Sequence, residues 1–315
     1  MVIYFCCLST FLLSAQKINH LASFRNIEGE RYFRFNYDND FFTATDENYT
    51  QGYNFELVAP ALRKNPLNFI LIKANQQNTR YGVALEHIGF TPNEYDLPEI
   101  QFGDRPFAAA IMLRSFAISK NTVKRIRFHS ALSLGLIGPG AFGKEMQTEI
   151  HEITGNKTPL GWRNQIQNDV VLNYNFGIEK QLLNLNDIIG FQIQSNLEIG
   201  TLFTNISVGS NVIIGKFQNV FTSKAQHRTF QIYVYVKPSV SLIGYDATLQ
   251  GGLINRDNAY TISAGDVERL TFQYDFGLVL QTKTLYFEYT RSRISPEFQS
   301  GPSAKWGGFR VGFTF

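Results

Sequence analysis

The sequence predicts an all-β fold: a twelve-stranded antiparallel transmembrane β-barrel with a short helix in an external loop. Three observations point there. Segment after segment alternates apolar and polar residues with a period of two. The chain opens on a short apolar leader, and no later run is long and apolar enough for a membrane-spanning helix. Aromatic residues reach 14%, with 28 Phe and 15 Tyr, while charged residues are only 17%. A membrane barrel needs such a composition, because an apolar outer band with aromatic girdles surrounds a polar interior.

The elements follow in chain order. The leader, MVIYFCCLSTFLLSA, reads as an export signal ending in the small residues Ser14-Ala15, although no Lys or Arg precedes its apolar run. It is short for a spanning helix. Residues 1–15 are therefore expected to be cleaved, leaving 16–315 as one barrel domain in the bacterial outer membrane. Both cysteines, Cys6 and Cys7, fall in the leader. The mature chain then lacks disulfides, a thiol nucleophile and cysteine-ligated metal. A formal charge of +3 without any basic block gives no support to a nucleic-acid partner.

Strands are expected near 31–40, 50–59, 79–90, 105–119, 123–137, 168–181, 186–201, 204–217, 228–243, 266–280, 283–293 and 305–315. The stretch LTFQYDFGLVL at 270–280 shows the pattern. Leu270, Phe272, Tyr274, Phe276, Leu278 and Leu280 share one face, with Thr271, Gln273 and Asp275 on the other. A soluble sandwich alternates likewise. Export and an aromatic final strand favour the barrel, whose closure pairs every backbone amide in lipid. Short links at 120–122, 182–185 and 281–282 read as periplasmic turns, and the longer links after odd-numbered strands read as external. The links at 60–78 and 201–204 break that rule.

Three polar clusters are thereby sent to the external rim. In NDFFTATDENYTQG at 39–52, Asp40 shares parity with Arg34, Asn36 and Asp38, and Thr50 with Asn54 and Glu56. Both are expected to face the lumen, in what is also an ordinary turn composition. In GDRPFAA at 103–109, Asp104 and Arg105 suit a rim ion pair, and Arg105 also suits an anionic headgroup, since a guanidinium matches phosphate geometry. In GKEMQTEIHEITG at 143–155, glycines bracket a helix that puts Gln147 and His151 on one face. A histidine there can take a proton from water, held against the lumen wall by a helix laid over the barrel mouth. A surface helix that happens to contain a histidine gives the same pattern.

These motifs, ND-F…TD–YT-G at 39–52, GDRPFA at 103–108, and GLIGPGAFGKEMQTEIHEITG followed by GW–Q at 161–165, occur in one order. Together they resemble the outer-membrane lipid A 3′-O-deacylases of the LpxR family, from about residue 30 to the C-terminus. The resemblance implies a twelve-stranded barrel with a calcium-dependent hydrolase site near its external end. His151 matches the family's histidine base and Gln147 the glutamine one turn earlier. Asn39 and Asp40 match the pair beside metal and substrate, Thr50 the hydroxyl residue, and Asp104 and Arg105 the DR pair. Phe102 stands where the pattern has a basic residue, and Lys157 where it has an acidic one.

The resemblance thus implies Ca²⁺ as cofactor, held by oxygens of Asn39, Asp40 and backbone carbonyls, and lipid A as substrate; a monomer in the membrane is expected. Two other readings compete: a passive or structural barrel, and a phospholipase barrel with a serine nucleophile. No compact Ser/His/Asn set supports the latter, because Ser130 and His129 are strand neighbours pointing opposite ways.

Overall fold

The structure is a computed structural model that describes residues 19–43, 48–74, 79–221 and 229–315. The expected leader and residues 44–47 of the first rim motif lie outside the described residues. Twelve strands form where alternation places them. They are β1 (Tyr32–Asn39), β2 (Asn48–Val58), β3 (Thr79–Thr91), β4 (Ala108–Asn121), β5 (Ile126–Ile137) and β6 (Asp169–Leu185). The second half comprises β7 (Ile189–Gly200), β8 (Phe203–Lys216), β9 (Phe230–Asp246), β10 (Leu270–Thr282), β11 (Leu285–Ile294) and β12 (Ala304–Thr314). Each pairs antiparallel with its sequence neighbours. β1 also pairs with β12, from Tyr32↔Thr314 to Asn39↔Gly307, so the sheet closes. Two helices interrupt the external loops: α1 (Gly143–Thr154) and the single turn α2 (Ala247–Gln250).

The two faces of the wall divide as the period of two requires. Leu113, Leu134, Leu172, Val208, Phe276 and Val311 are exposed and face the lipid. The inward positions carry buried charges in pairs: Arg34–Glu56 at 2.6 Å, Arg127–Glu179 at 2.8 Å, Lys237–Asp275 at 2.8 Å and Arg310–Asp38 at 3.2 Å. Such charges are tolerated in a closed interior only when paired and hydrogen-bonded.

Alternation alone does not foresee that the chain before β1 re-enters the barrel. Residues 19–27 lie inside it near the end that holds both strand termini. Phe24 stacks on Tyr235 at 4.1 Å between ring centroids. Arg25 Nε donates to both oxygens of Glu288 at 2.9 and 3.1 Å. The Ser23 amide donates to both oxygens of Glu179 at 3.0 Å, and Arg34 donates to the Arg25 and His20 carbonyls at 2.6 Å. Chain thus occupies part of the lumen at this level, beside a cavity lined by His20, Arg114, His129 and Lys237.

Candidate active site

The external loop after β5 builds the site. Pro139–Ala141 forms a 3₁₀ turn, and Ala141 accepts a hydrogen bond from His87 Nε2 at 2.9 Å. His87 lies on the same face of β3 as the exposed Leu85, so the loop has crossed the outside of the wall. Helix α1 then docks there. A Cβ at Gly143 would stand 2.4 Å from the Cβ of Ala109 and 2.7 Å from the Trp162 ring, an approach only glycine permits. Ala109 shares parity with Ile111 and the exposed Leu113. The expectation of a helix over the mouth is corrected: α1 stands beside the external end of the barrel, on its outer face.

Gly143, Gln147 and His151 are the buried residues of α1, one stripe at a spacing of four. Gln147 is 1% exposed; its Oε1 accepts from Trp162 Nε1 at 2.6 Å, and its Nε2 has no partner among the described residues. His151 Nδ1 lies 2.6 Å from the Lys157 carbonyl oxygen. A carbonyl only accepts, so Nδ1 carries the proton and the neutral ring keeps Nε2 as its basic nitrogen. Tyr95 meets the ring edge-on at 5.2 Å. The helix ends at Gly155, in the left-handed region at φ 73°, which caps the His151 carbonyl and turns the chain so that Lys157 reaches back. Lys157 is itself clamped to Asp96 at 2.6 Å. Asp96 is held below the usual carboxylate range by its hydrogen bond from that ammonium, and the same bond raises the Lys157 ammonium.

A second group of polar residues comes from the ends of β1 to β3. Asn39 Nδ2 donates to the Thr50 carbonyl at 2.6 Å, and the Thr50 and Thr91 hydroxyls share a hydrogen bond. Asp40 is fully buried and opens a 3₁₀ turn, Asp40–Thr43, whose Phe42 packs outside against Phe309 at 6.0 Å. The expected lumenal aspect of Thr50 fails because β2 is irregular between Asn48 and Gln51. Tyr49 takes the inward position there, against Phe90 and Trp306. Thr50 meets Thr91, which shares the outward parity of His87 and Gly89. Gln51 lies across Gly89, the β4-side partner of which is Ala109. Asn39, Thr50 and Thr91 therefore stand on the outer rim beside the wall that carries α1.

Asp104 and Arg105 do other work. Asp104 accepts from the Asn93 amide at 2.8 Å and from the Arg105 amide at 2.7 Å, fixing the loop backbone. Arg105 is 1% exposed, lies over the inward-facing Phe90 at 4.1 Å, and donates to Glu297 and to Thr248 of α2, each at 3.2 Å. The expected pair of Asp104 with Arg105 is replaced by Arg105–Glu297, and Arg105 sits on the mouth side of the wall, across from α1. Sequence reasoning assigned no role to Thr91, Trp162 or Ala109. Only the GW–Q motif hinted at the second. Ser130 donates outward to the Ile72 carbonyl at 2.9 Å, whereas the inward His129 meets Asn196, so these two form no nucleophile–base pair.

A metal fits this rim on donor chemistry. Asn39, Asp40, Thr50 and Thr91 offer only oxygen acceptors, the set that suits Ca²⁺. Among the described residues no three His, Cys, Asp or Glu side chains cluster, so carboxylates alone do not build the site. One carboxylate plus neutral oxygens leaves the remaining shell to backbone, water and substrate.

Fold and site together define an outer-membrane barrel that carries, docked on its outer face, a helix with a buried glutamine and histidine. The chain matches the family described as "Outer membrane protein LpxR" over residues 2–315, and so belongs to the LpxR family. The solved structure of LpxR from Salmonella typhimurium is similar at a TM-score of 0.73, with 18% identity over 90% of this chain and 100% of that one. The β domain of the Bordetella autotransporter BrkA covers 91% of this chain and 98% of its own at 7% identity, with a TM-score of 0.45. Among curated proteins none matches.

Proposed function

We propose that this protein hydrolyses an ester-linked acyl chain of lipid A, at the 3′-O position, in the outer membrane. The observation that carries the reading is the His151 ring. Its Nδ1 proton is held by the Lys157 carbonyl, leaving Nε2 as a base, on a helix that packs through Gly143 against Ala109 on the lipid side of the wall. Family membership supports the same reading.

The chemistry follows from these groups. His151 Nε2 takes a proton from water, and the water oxygen bonds to the ester carbonyl carbon. The carbonyl oxygen gains charge, and Gln147 Nε2, whose amide is oriented by Trp162 one turn before His151 on the same face of α1, donates to it. The ester C–O bond then breaks, and the proton held on His151 passes to the departing sugar oxygen, releasing a fatty acid. Ca²⁺ bound by Asn39, Asp40 and rim carbonyls would supply Lewis-acid polarisation, worth several kcal/mol in comparable hydrolyses. Thr50 keeps Asn39 in place through its carbonyl and bonds Thr91 through its hydroxyl.

The test is mass spectrometry of lipid A and phospholipids from membranes containing the wild type or His151→Ala, with and without calcium chelation. Wild type should remove one acyl chain from lipid A only. His151→Ala and chelation should each abolish this, and readded Ca²⁺ should restore the chelated sample. Retained deacylation in His151→Ala would falsify the assignment of the base. A passive barrel predicts no product with or without Ca²⁺.

A further inference from the structure

Three of the links at the non-helical end, after β4, β6 and β10, are short turns; the link after β2 is long. It does not hang into the periplasm. Residues 60–74 climb the outside of the wall as two 3₁₀ turns, Pro60–Lys64 and Pro66–Phe69, followed by an extended return. They cover outward positions that a lipid-facing wall should not expose: Ser115, Ala117, Ser119, Ser130 and Tyr174. Asn65 Nδ2 donates to Ser115 Oγ at 3.1 Å, the Ala74 amide to Ser119 Oγ at 2.9 Å, and Ser130 Oγ to the Ile72 carbonyl at 2.9 Å. Leu71 packs with Tyr81, Ala117 and Leu132.

Two features show what surrounds the outer side of this segment. First, much of its irregular backbone is hydrogen-bonded within the chain. The Leu62, Asn65, Asn68 and Ile70 amides are bonded within the turns. The Leu67 amide is capped by Asn65 Oδ1, and the Ile72 amide donates to the Tyr174 hydroxyl. The Leu62 and Arg63 carbonyls accept from Asn68 Nδ2, the Asn68 carbonyl accepts from Lys73, and the Ile70 carbonyl accepts from Tyr174. A chain in water has no need of this; a chain in hydrocarbon does, because each unmet group is costly there. Second, the side chains turned away from the wall are apolar, with Phe69 83%, Ile70 40% and Ile72 50% exposed, while Arg63 and Lys64 sit exposed at the lower turn.

We infer that residues 60–74 are a lipid-seated segment: Phe69, Ile70 and Ile72 contact acyl chains of the periplasmic leaflet, and Arg63 and Lys64 engage the phosphates of its phospholipids. The occupant is an anionic glycerophospholipid, matched by apolar side chains at depth and cations nearer the turn.

The test uses the full chain in phosphatidylethanolamine–phosphatidylglycerol vesicles, with Cys6 and Cys7 changed to Ser and one nitroxide at Phe69→Cys, Ile72→Cys or Val123→Cys. Val123, 92% exposed in the turn between β4 and β5, is the water-facing control. Labels at 69 and 72 should be relaxed by oxygen rather than by an aqueous nickel chelate, and the label at 123 the reverse. A label at 69 or 72 that behaves like the one at 123 overturns the inference. In a second arm, spin-labelled phosphatidylglycerol held by the protein, relative to phosphatidylcholine, should fall roughly fivefold or more in Arg63→Gln/Lys64→Gln. An unchanged ratio overturns the headgroup assignment.

Discussion

Replacing Gly143 by Ala probes the seat of the proposed base without touching any group that reacts. The added Cβ would lie 2.4 Å from the Ala109 Cβ and 2.7 Å from Trp162, where ordinary contact begins at 3.4 Å. Ala109 is on a strand fixed by two neighbours and cannot yield, so α1 must retreat by about 1 Å, and a displacement of that size costs roughly 10²-fold in rate. Overpacking of this kind costs about 1–3 kcal/mol locally, which leaves the barrel assembled. Lipid A deacylation by the purified protein in mixed micelles gives the rate, and heat-modifiable migration in gels reports the intact barrel. Ala109→Gly combined with Gly143→Ala removes the closest contact and should recover part of the loss. Full activity in Gly143→Ala, or no recovery in the double variant, would refute both the wall-side docking of α1 and its role in placing His151.

Three further outcomes follow from the geometry. Arg25→Met leaves Glu288 buried with a weakened set of partners and should lower barrel stability by about 3–5 kcal/mol in urea, an effect absent if the segment at 19–27 is not seated in the lumen. For Lys157→Ala, the sign is set by both partners. The lowered Asp96 keeps the contact complete above the carboxylate's ordinary 3.8, and the raised Lys157 keeps it complete below the ammonium's ordinary 10.5. The contact is lost only as pH falls through the depressed Asp96 value or rises through the raised Lys157 value, so the ratio of wild-type to Lys157→Ala rates should stay flat between about pH 5 and 9, and a sloping ratio contradicts this. Arg105→Gln should slow turnover of phosphorylated and dephosphorylated lipid A equally, because its guanidinium is spent on Glu297 and Thr248; a loss confined to the phosphorylated substrate would restore the headgroup role.

What the sequence made legible was whatever depends on near neighbours. Strand faces follow from parity, and Gln147 and His151 share a buried stripe because they are four apart. Orientation of the rim was not legible, because parity breaks at the β2 irregularity and Tyr49 takes the inward place expected of Thr50. The side on which α1 docks depends on Gly143 and Ala109, residue types that carry no chemical signal of their own. Arg105 reads as the partner of its neighbour Asp104, yet its true contacts lie 192 and 143 residues away in the chain. Likewise, the polarity of Ser115, Ser119 and Ser130 on an outward face makes sense only once the 60–74 segment is seen to cover them.

The placement of α1 on the outer flank also sets how a substrate arrives. A groove at the lumen would oblige a lipid to leave its leaflet and climb over the rim. A helix on the flank is met by sideways diffusion in the plane of the membrane, and on the proposed reading the cleaved sugar lipid drifts away without crossing water. Turnover should then scale with the mole fraction of substrate in the surface, falling on dilution with inert amphiphile even when its bulk concentration is held constant.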